Sequence, residues 1–187
     1  KYMKDLINNS IKNHSEALQL IDKDMINSAS NIILNAINKG KTVFWCGNGG
    51  SASQANHLSA ELIGGMYQKK IKPFKSISLN IDTAFITAWS NDDSFDNVFV
   101  RQLEALSESG DILIGLSTSG NSSNVIKAAQ FAHSNNLKVI SLTGNNGGLL
   151  NQHSDININI PSHSTQRIQE MHILIGHILC DIIELSL

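Results

Sequence analysis

The chain has 187 residues, 41% of them hydrophobic and 16% charged, which fits one globular domain with a full core rather than two. A formal net charge of −2 gives no electrostatic reason to expect nucleic acid as a partner. Its two cysteines, Cys46 and Cys180, sit in apolar runs without metal-ligand spacing, so a reducing compartment is expected rather than a disulfide framework.

Residues 3–21 carry Met3, Leu6, Ile7, Leu18, Leu20 and Ile21 among polar residues, an interrupted helical pattern. Residues 24–38 are more regular, with Met25, Ala29, Ile32, Ile33, Ala36 and Ile37 near period 3.6, Asp22 or Asp24 as cap and Gly40 just past the end. These two helices precede the first strand and belong to no βαβ unit. Residues 1–40 therefore read as a helical extension that covers either the sheet or a second subunit, and a subunit contact is expected. No run approaches a transmembrane span, and Lys1-Tyr2-Met3-Lys4 has no signal-peptide core, so a soluble, cytoplasmic protein is expected.

Residues 42–46 read as a buried strand, closed by the turn Gly47-Asn48-Gly49-Gly50, with Ser51 opening a helix. Residues 76–80 give a second strand and 83–89 a short helix, followed by the polar cluster Ser90-Asn91-Asp92-Asp93 and a helix over 97–106. A third strand, 111–116, runs into the loop 117–123, then a helix over 125–133 and a fourth strand, 138–142. A second glycine turn at 144–148 leads to a fifth strand, 156–160, whose alternating Ile and Asn predict an edge position; Pro161 ends it. Residues 166–187 form a long apolar helix. Alternating strands and helices over 41–187 predict an α/β domain with a five-stranded, parallel, doubly wound sheet and ligands at the carboxyl ends of its strands.

Four stretches bear on chemistry. The first turn fits G-x-G-x-x-A, yet the acidic residue of a dinucleotide site is missing, because the next strand ends in Asn80. No nucleotide cofactor is expected. The loop Ser117-Thr118-Ser119-Gly120-Asn121-Ser122 offers four hydroxyls and a helix start, without the Lys of a triphosphate loop. Ser and Asn also serve as ordinary caps and turn formers, but six polar residues in a row favour a phosphate monoester of a sugar. His57 and Glu61 share one helix face, and the neighbouring Ala55, Leu58 and Leu62 predict the partial burial that suits a base. A solvated surface pair is the plainer alternative. The last helix carries Arg167, Gln169, Glu170, His172 and His177 in apolar surroundings, and each needs a partner there. Gln169 and His177 stand about 12 Å apart along the axis, long for two ligands of one atom, so a shared site calls for more than one chain.

GNGGSA at 47–52, His57-x-x-x-Glu61, Asn91-Asp92, STSGNS at 117–122, TGNNGG at 143–148 and RIQE-x-H-x-L-I-G-H at 167–177 resemble the phosphoheptose (sedoheptulose 7-phosphate) isomerases of the sugar isomerase (SIS) fold family. The resemblance covers nearly the whole chain. It implies a single SIS domain in a cytoplasmic homotetramer with active sites between subunits, acting on a small sugar phosphate. The expected reaction converts sedoheptulose 7-phosphate to D-glycero-D-manno-heptose 7-phosphate, the first step towards bacterial heptose for lipopolysaccharide or capsule. By resemblance, Glu61 is the base and His177 the acid, with the carbonyl end between Glu61 and His177 of another subunit. Asn48, Gly49, Gly50, Glu61, Asn91, Asp92, Ser117, Thr118, Ser119, Ser122 and Gln169 contact substrate, and zinc is held by His57, Glu61, Gln169 and His177. Many members carry Arg where this chain has Gly65, which leaves open whether Lys69 or Lys70 takes its place. Two other readings follow from the same family: a non-catalytic adaptor for a replication initiator, or an isomerase of another sugar phosphate.

Overall fold

Five short apolar runs pair into one parallel sheet in a computed structural model that describes residues 2–67 and 72–187. The strands are β1 (Val43–Gly47), β2 (Ser76–Ser78), β3 (Ile112–Ser117), β4 (Lys138–Gly144) and β5 (Ile156–Ile160), in the order β2-β1-β3-β4-β5. A parallel sheet covered on both faces tolerates few polar side chains; β3 and β4 are accordingly rich in Val, Ile and Leu, and β1 runs Val-Phe-Trp-Cys-Gly, buried throughout. Successive side chains point to opposite faces. Val43, Trp45, Ile112, Ile114, Ile140 and Leu142 enter one core, while Phe44, Cys46, Leu113 and Val139 enter the other.

The first core is covered by α2 (Lys23–Asn38), α3 (Gly50–Gly64) and α7 (Thr165–Ser186), the second by α4 (Thr83–Asp92), α5 (Val98–Leu106) and α6 (Ser123–Ser134). The doubly wound, five-stranded parallel architecture is as expected. The N-terminal region divides in a way the pattern did not show. α2 is part of the sheet cover, burying Ile26, Ala29, Ile33 and Ala36, with Asp22 rather than Asp24 as its cap. α1 (Tyr2–Gln19) is one uninterrupted helix that buries only Ala17 and leaves Tyr2, Met3, Leu6, Ile7 and Ile11 exposed. It is tied to the start of α7, where Arg167 donates to the Ser10 carbonyl at 2.7 Å and pairs with Glu170, whose carboxylate also meets His14 Nδ1 at 2.7 Å.

Other boundaries move for local reasons. β2 stops at Ser78 because Asn80 turns back onto β1, accepting from the Gly47 N–H and donating to its carbonyl. The polar cluster after residue 89 continues α4 through Asp92, with Ser90 Oγ donating to the Ile86 carbonyl of the preceding turn. β5 is the predicted edge strand. Lys69 and Lys70 lie outside the described residues. No helix among the described residues is long and apolar enough to cross a membrane.

His172 illustrates a polar residue used for structure. Its Nε2–H donates to the Thr143 carbonyl at 3.0 Å, and its Nδ1 is buried without a partner. Burial pushes its pKa down to about 4, against a weaker upward pull from that carbonyl. Between pH 6.5 and 4 the unfolded chain binds a proton that the folded chain refuses, so stability falls as pH falls through this window. The expected loss is about 3 kcal/mol. Denaturant midpoints measured from pH 7 to 4 should decline more steeply for the native chain than for H172Q.

Candidate active site

α3 and α7 lie side by side and run in the same direction. Gln54 Nε2 donates to the Gln169 carbonyl, Leu58 packs on Gly176, and the Glu184 carboxylate accepts from the N–H groups of Met66 and Tyr67. The approach is close enough that a Cβ on Gly176 would lie 2.3 Å from Leu58 Cδ1. This packing carries His177, the next residue, onto the face that holds His57 and Glu61. His57 Nε2 stands 2.9 Å from His177 Nε2 and 3.3 Å from Glu61 Oε1. Two ring nitrogens at that distance bond only if one carries the proton. His57 is half exposed and the other two are partly buried, so the cluster opens to solvent.

The ligand atoms of His57, Glu61 and His177 all lie within 4.8 Å of one another. Two imidazoles and one carboxylate with an open side are a donor set that suits catalytic zinc, so these residues fit a divalent metal. Gln169, the fourth expected ligand, is not with them. Its side chain lies against Gly50, where a Cβ would meet Nε2 at 2.7 Å, at the other end of the α3–α7 seam. Glu61 and His177 were expected across two subunits; the helix packing brings them together within one chain.

A second cluster forms at the carboxyl ends of β1 and β3. In a sheet of this order the crossovers diverge there and leave a crevice. Gly49 takes φ +55°, a conformation that favours glycine, and α3 starts after it without a side-chain cap. Ser117 Oγ bonds Ser122 Oγ at 2.9 Å, and α6 starts after Ser122, also without a side-chain cap. By contrast, α2, α4 and α7 are capped by Asp22, Asp82 and Ser164. Uncapped first turns leave N–H groups and a partial positive charge for an anion. Thr118 and Ser119 lie in the connecting loop, and Ser119 Oγ accepts from the Asn121 N–H. Asn91 and Asp92 lie in the last turn of α4, where Asn91 Nδ2 donates to Asp92 Oδ1.

A sequence profile of the SIS domain family matches residues 8–144. The phosphoheptose isomerase of Helicobacter hepaticus is 46% identical over 184 residues, covering 97% of this chain and 93% of that protein. That of Aliarcobacter butzleri is 44% identical, covering 97% of each. The chain belongs to the phosphoheptose isomerases of the SIS-domain family. Solved phosphoheptose isomerases from Neisseria gonorrhoeae and Francisella tularensis superpose on it with TM-scores of 0.89 and 0.90. They are 36% and 35% identical to it, covering 97% and 98% of this chain and 99% and 96% of theirs.

The chain thus gathers one carboxylate and two imidazoles at the α3–α7 seam, and places two helix starts without side-chain caps and a pair of serine hydroxyls at the carboxyl ends of β1 and β3. Both cysteines are buried, and burial pushes both thiols up to about 12. Three polar residues around the site escaped the sequence reading: Asn80, which clamps Gly47; Gln54, which joins α3 to α7; and Asn124, which bonds Asn48. Asn124 follows Ser122 and Ser123 in a polar run, so nothing in the sequence set it apart.

Gly176→Val should lower stability by about 1–3 kcal/mol, as overpacking does, and cut isomerase turnover by displacing His177 from Glu61. Gly64→Ala, with nothing within 4 Å of the new Cβ, should leave the unfolding midpoint unchanged or slightly raised. Thermal unfolding and turnover of the two variants check this.

Proposed function

We propose that this ketose–aldose isomerase interconverts sedoheptulose 7-phosphate and D-glycero-D-manno-heptose 7-phosphate through an enediol. The observation that carries the reading is the meeting of Glu61 and His177 at the α3–α7 seam. With the sugar ring-opened, the Glu61 carboxylate takes a proton from C1 and returns it to C2. His177, clustered with Glu61 and His57, moves a proton between the two oxygens. His57, Glu61 and His177 would hold a divalent metal, whose charge would offset the negative charge that develops on the sugar oxygens. The phosphate rests on the 117–122 loop and the α6 start, with Gly49, Gly50 and Gln169 nearby. Asn91 and Asp92 contact the substrate from the end of α4. The intact Glu61 speaks against an adaptor that has lost its catalytic carboxylate.

The site is shared between subunits of a homotetramer. Gly50 opens α3 and Glu61 lies three turns on, about 16 Å along the axis. That exceeds the reach of a seven-carbon chain, so the cradle of one subunit works with the acid–base pair of another. The exposed apolar residues of α1 supply a surface for such assembly. The reaction takes place in the cytoplasm, where the two free thiols stay reduced, and its product feeds heptose-containing glycans.

A positioned acid or base contributes about 10²–10⁴-fold. Glu61→Gln and His177→Ala should each lower turnover of sedoheptulose 7-phosphate by that order, followed by NMR of the aldose, while the assembled protein keeps its size. Near-full activity in both would defeat the mechanism. Mixed oligomers of E61Q with S119E, whose added charge repels phosphate, should regain activity that neither variant has alone. No recovery would mean that each chain works by itself.

A further inference from the structure

Asn124 is 2% exposed, and a buried amide must find partners for its donors and its acceptor. Its Nδ2 donates to Asn48 Oδ1 at 2.9 Å, and its Oδ1 accepts from Asn48 Nδ2 at 2.8 Å. The same Oδ1 accepts from the Val125 N–H at 3.0 Å. That third bond fixes which way the amide faces, because a flipped amide would set Nδ2 against an N–H. The orientation of Asn48 follows from it. Asn48 thus has its oxygen and one N–H committed inward, and its part in binding falls to the backbone of the turn it anchors.

The place of this bridge gives it a role. Asn48 follows β1 and precedes the α3 start; Asn124 lies in the first turn of α6, just past the end of β3. The β1–β3 ladder ends at Gly47 and Leu116. Beyond that point, these two bonds are the side-chain hydrogen bonds between the loops among the described residues. Gly49 and Gly50 give the first loop backbone freedom, so its distance from the 117–122 loop needs an external constraint. We propose that Asn124 is a positioning residue for substrate binding. Paired with Asn48, it sets the spacing of the uncapped starts of α3 and α6 and with it the affinity for a phosphate ester. This rests on the placement of the phosphate proposed above.

The test is a mutant cycle on the full-length protein: N124A, N48A and the double variant. For each, KM and kcat are measured with sedoheptulose 7-phosphate, together with inhibition by inorganic phosphate. N124A should raise KM and the phosphate inhibition constant about tenfold, the scale of one or two hydrogen bonds, with kcat changed less than about threefold. The double variant should cost no more than the worse single one, since either truncation removes the whole bridge. An unchanged phosphate inhibition constant in N124A, or a fall in kcat at constant KM, overturns the proposal, as do single effects that multiply. N48A removes the same bridge from its less buried side and decides the matter if N124A does not fold. Should phosphate fail to compete with substrate in the native protein, the cradle reading itself falls; competition in the native protein with no change in N124A removes only the role of Asn124.

Discussion

The contact between Leu58 and Gly176 governs the chemistry of this molecule. Two helices separated by more than half the chain must approach closely for their side chains to share one spot, and a missing Cβ at residue 176 permits it. Because α3 and α7 run in the same direction, the contact sets a register along the whole seam. Gln169 falls beside Gly50, and His177 falls beside His57 and Glu61. A shift of one turn would move each side chain by about 5 Å and break up the cluster.

The carboxyl end of the sheet depends on a different constraint, the order of the strands. With β1 and β3 adjacent and their crossovers leaving to opposite faces, the loops after them are neighbours with no sheet to join them. Side chains and close backbone contacts do the joining. Asn80 holds Gly47 from one flank and Asn124 holds Asn48 from the other. The 144–148 turn supports the 117–122 loop from behind. A Cβ on Gly120 would lie 2.1 Å from the Gly147 carbonyl oxygen, and Leu150 N–H donates to the Gly120 carbonyl. The second glycine turn therefore acts as a backbone buttress, and its glycines answer to packing.

Polar residues inside the apolar layers sort by what they touch. His172 spends one nitrogen on a strand carbonyl and is held neutral by burial. Arg167 and Glu170 secure α1. Gln169 and His177 face α3, Gln169 against Gly50 and His177 against His57. One helix thus serves the core, the N-terminal arm and the site with different faces.

Much of this was legible in the sequence because it is local. Apolar runs that alternate with period-3.6 segments specify a covered parallel sheet, and glycine and serine turns after β1 and β3 mark its carboxyl edge. The spacing of His57 and Glu61 puts them on one face of a helix without further information. What lay beyond the sequence was every relation between distant segments. Whether α2 covered the sheet or a partner, which chain's His177 met Glu61, and that Asn124 would close on Asn48 all turn on packing geometry. A hydrophobic pattern says that a face is buried and is silent on what buries it. The tertiary structure decided those pairings because close packing admits one register of α3 on α7, and buried amides admit one set of partners.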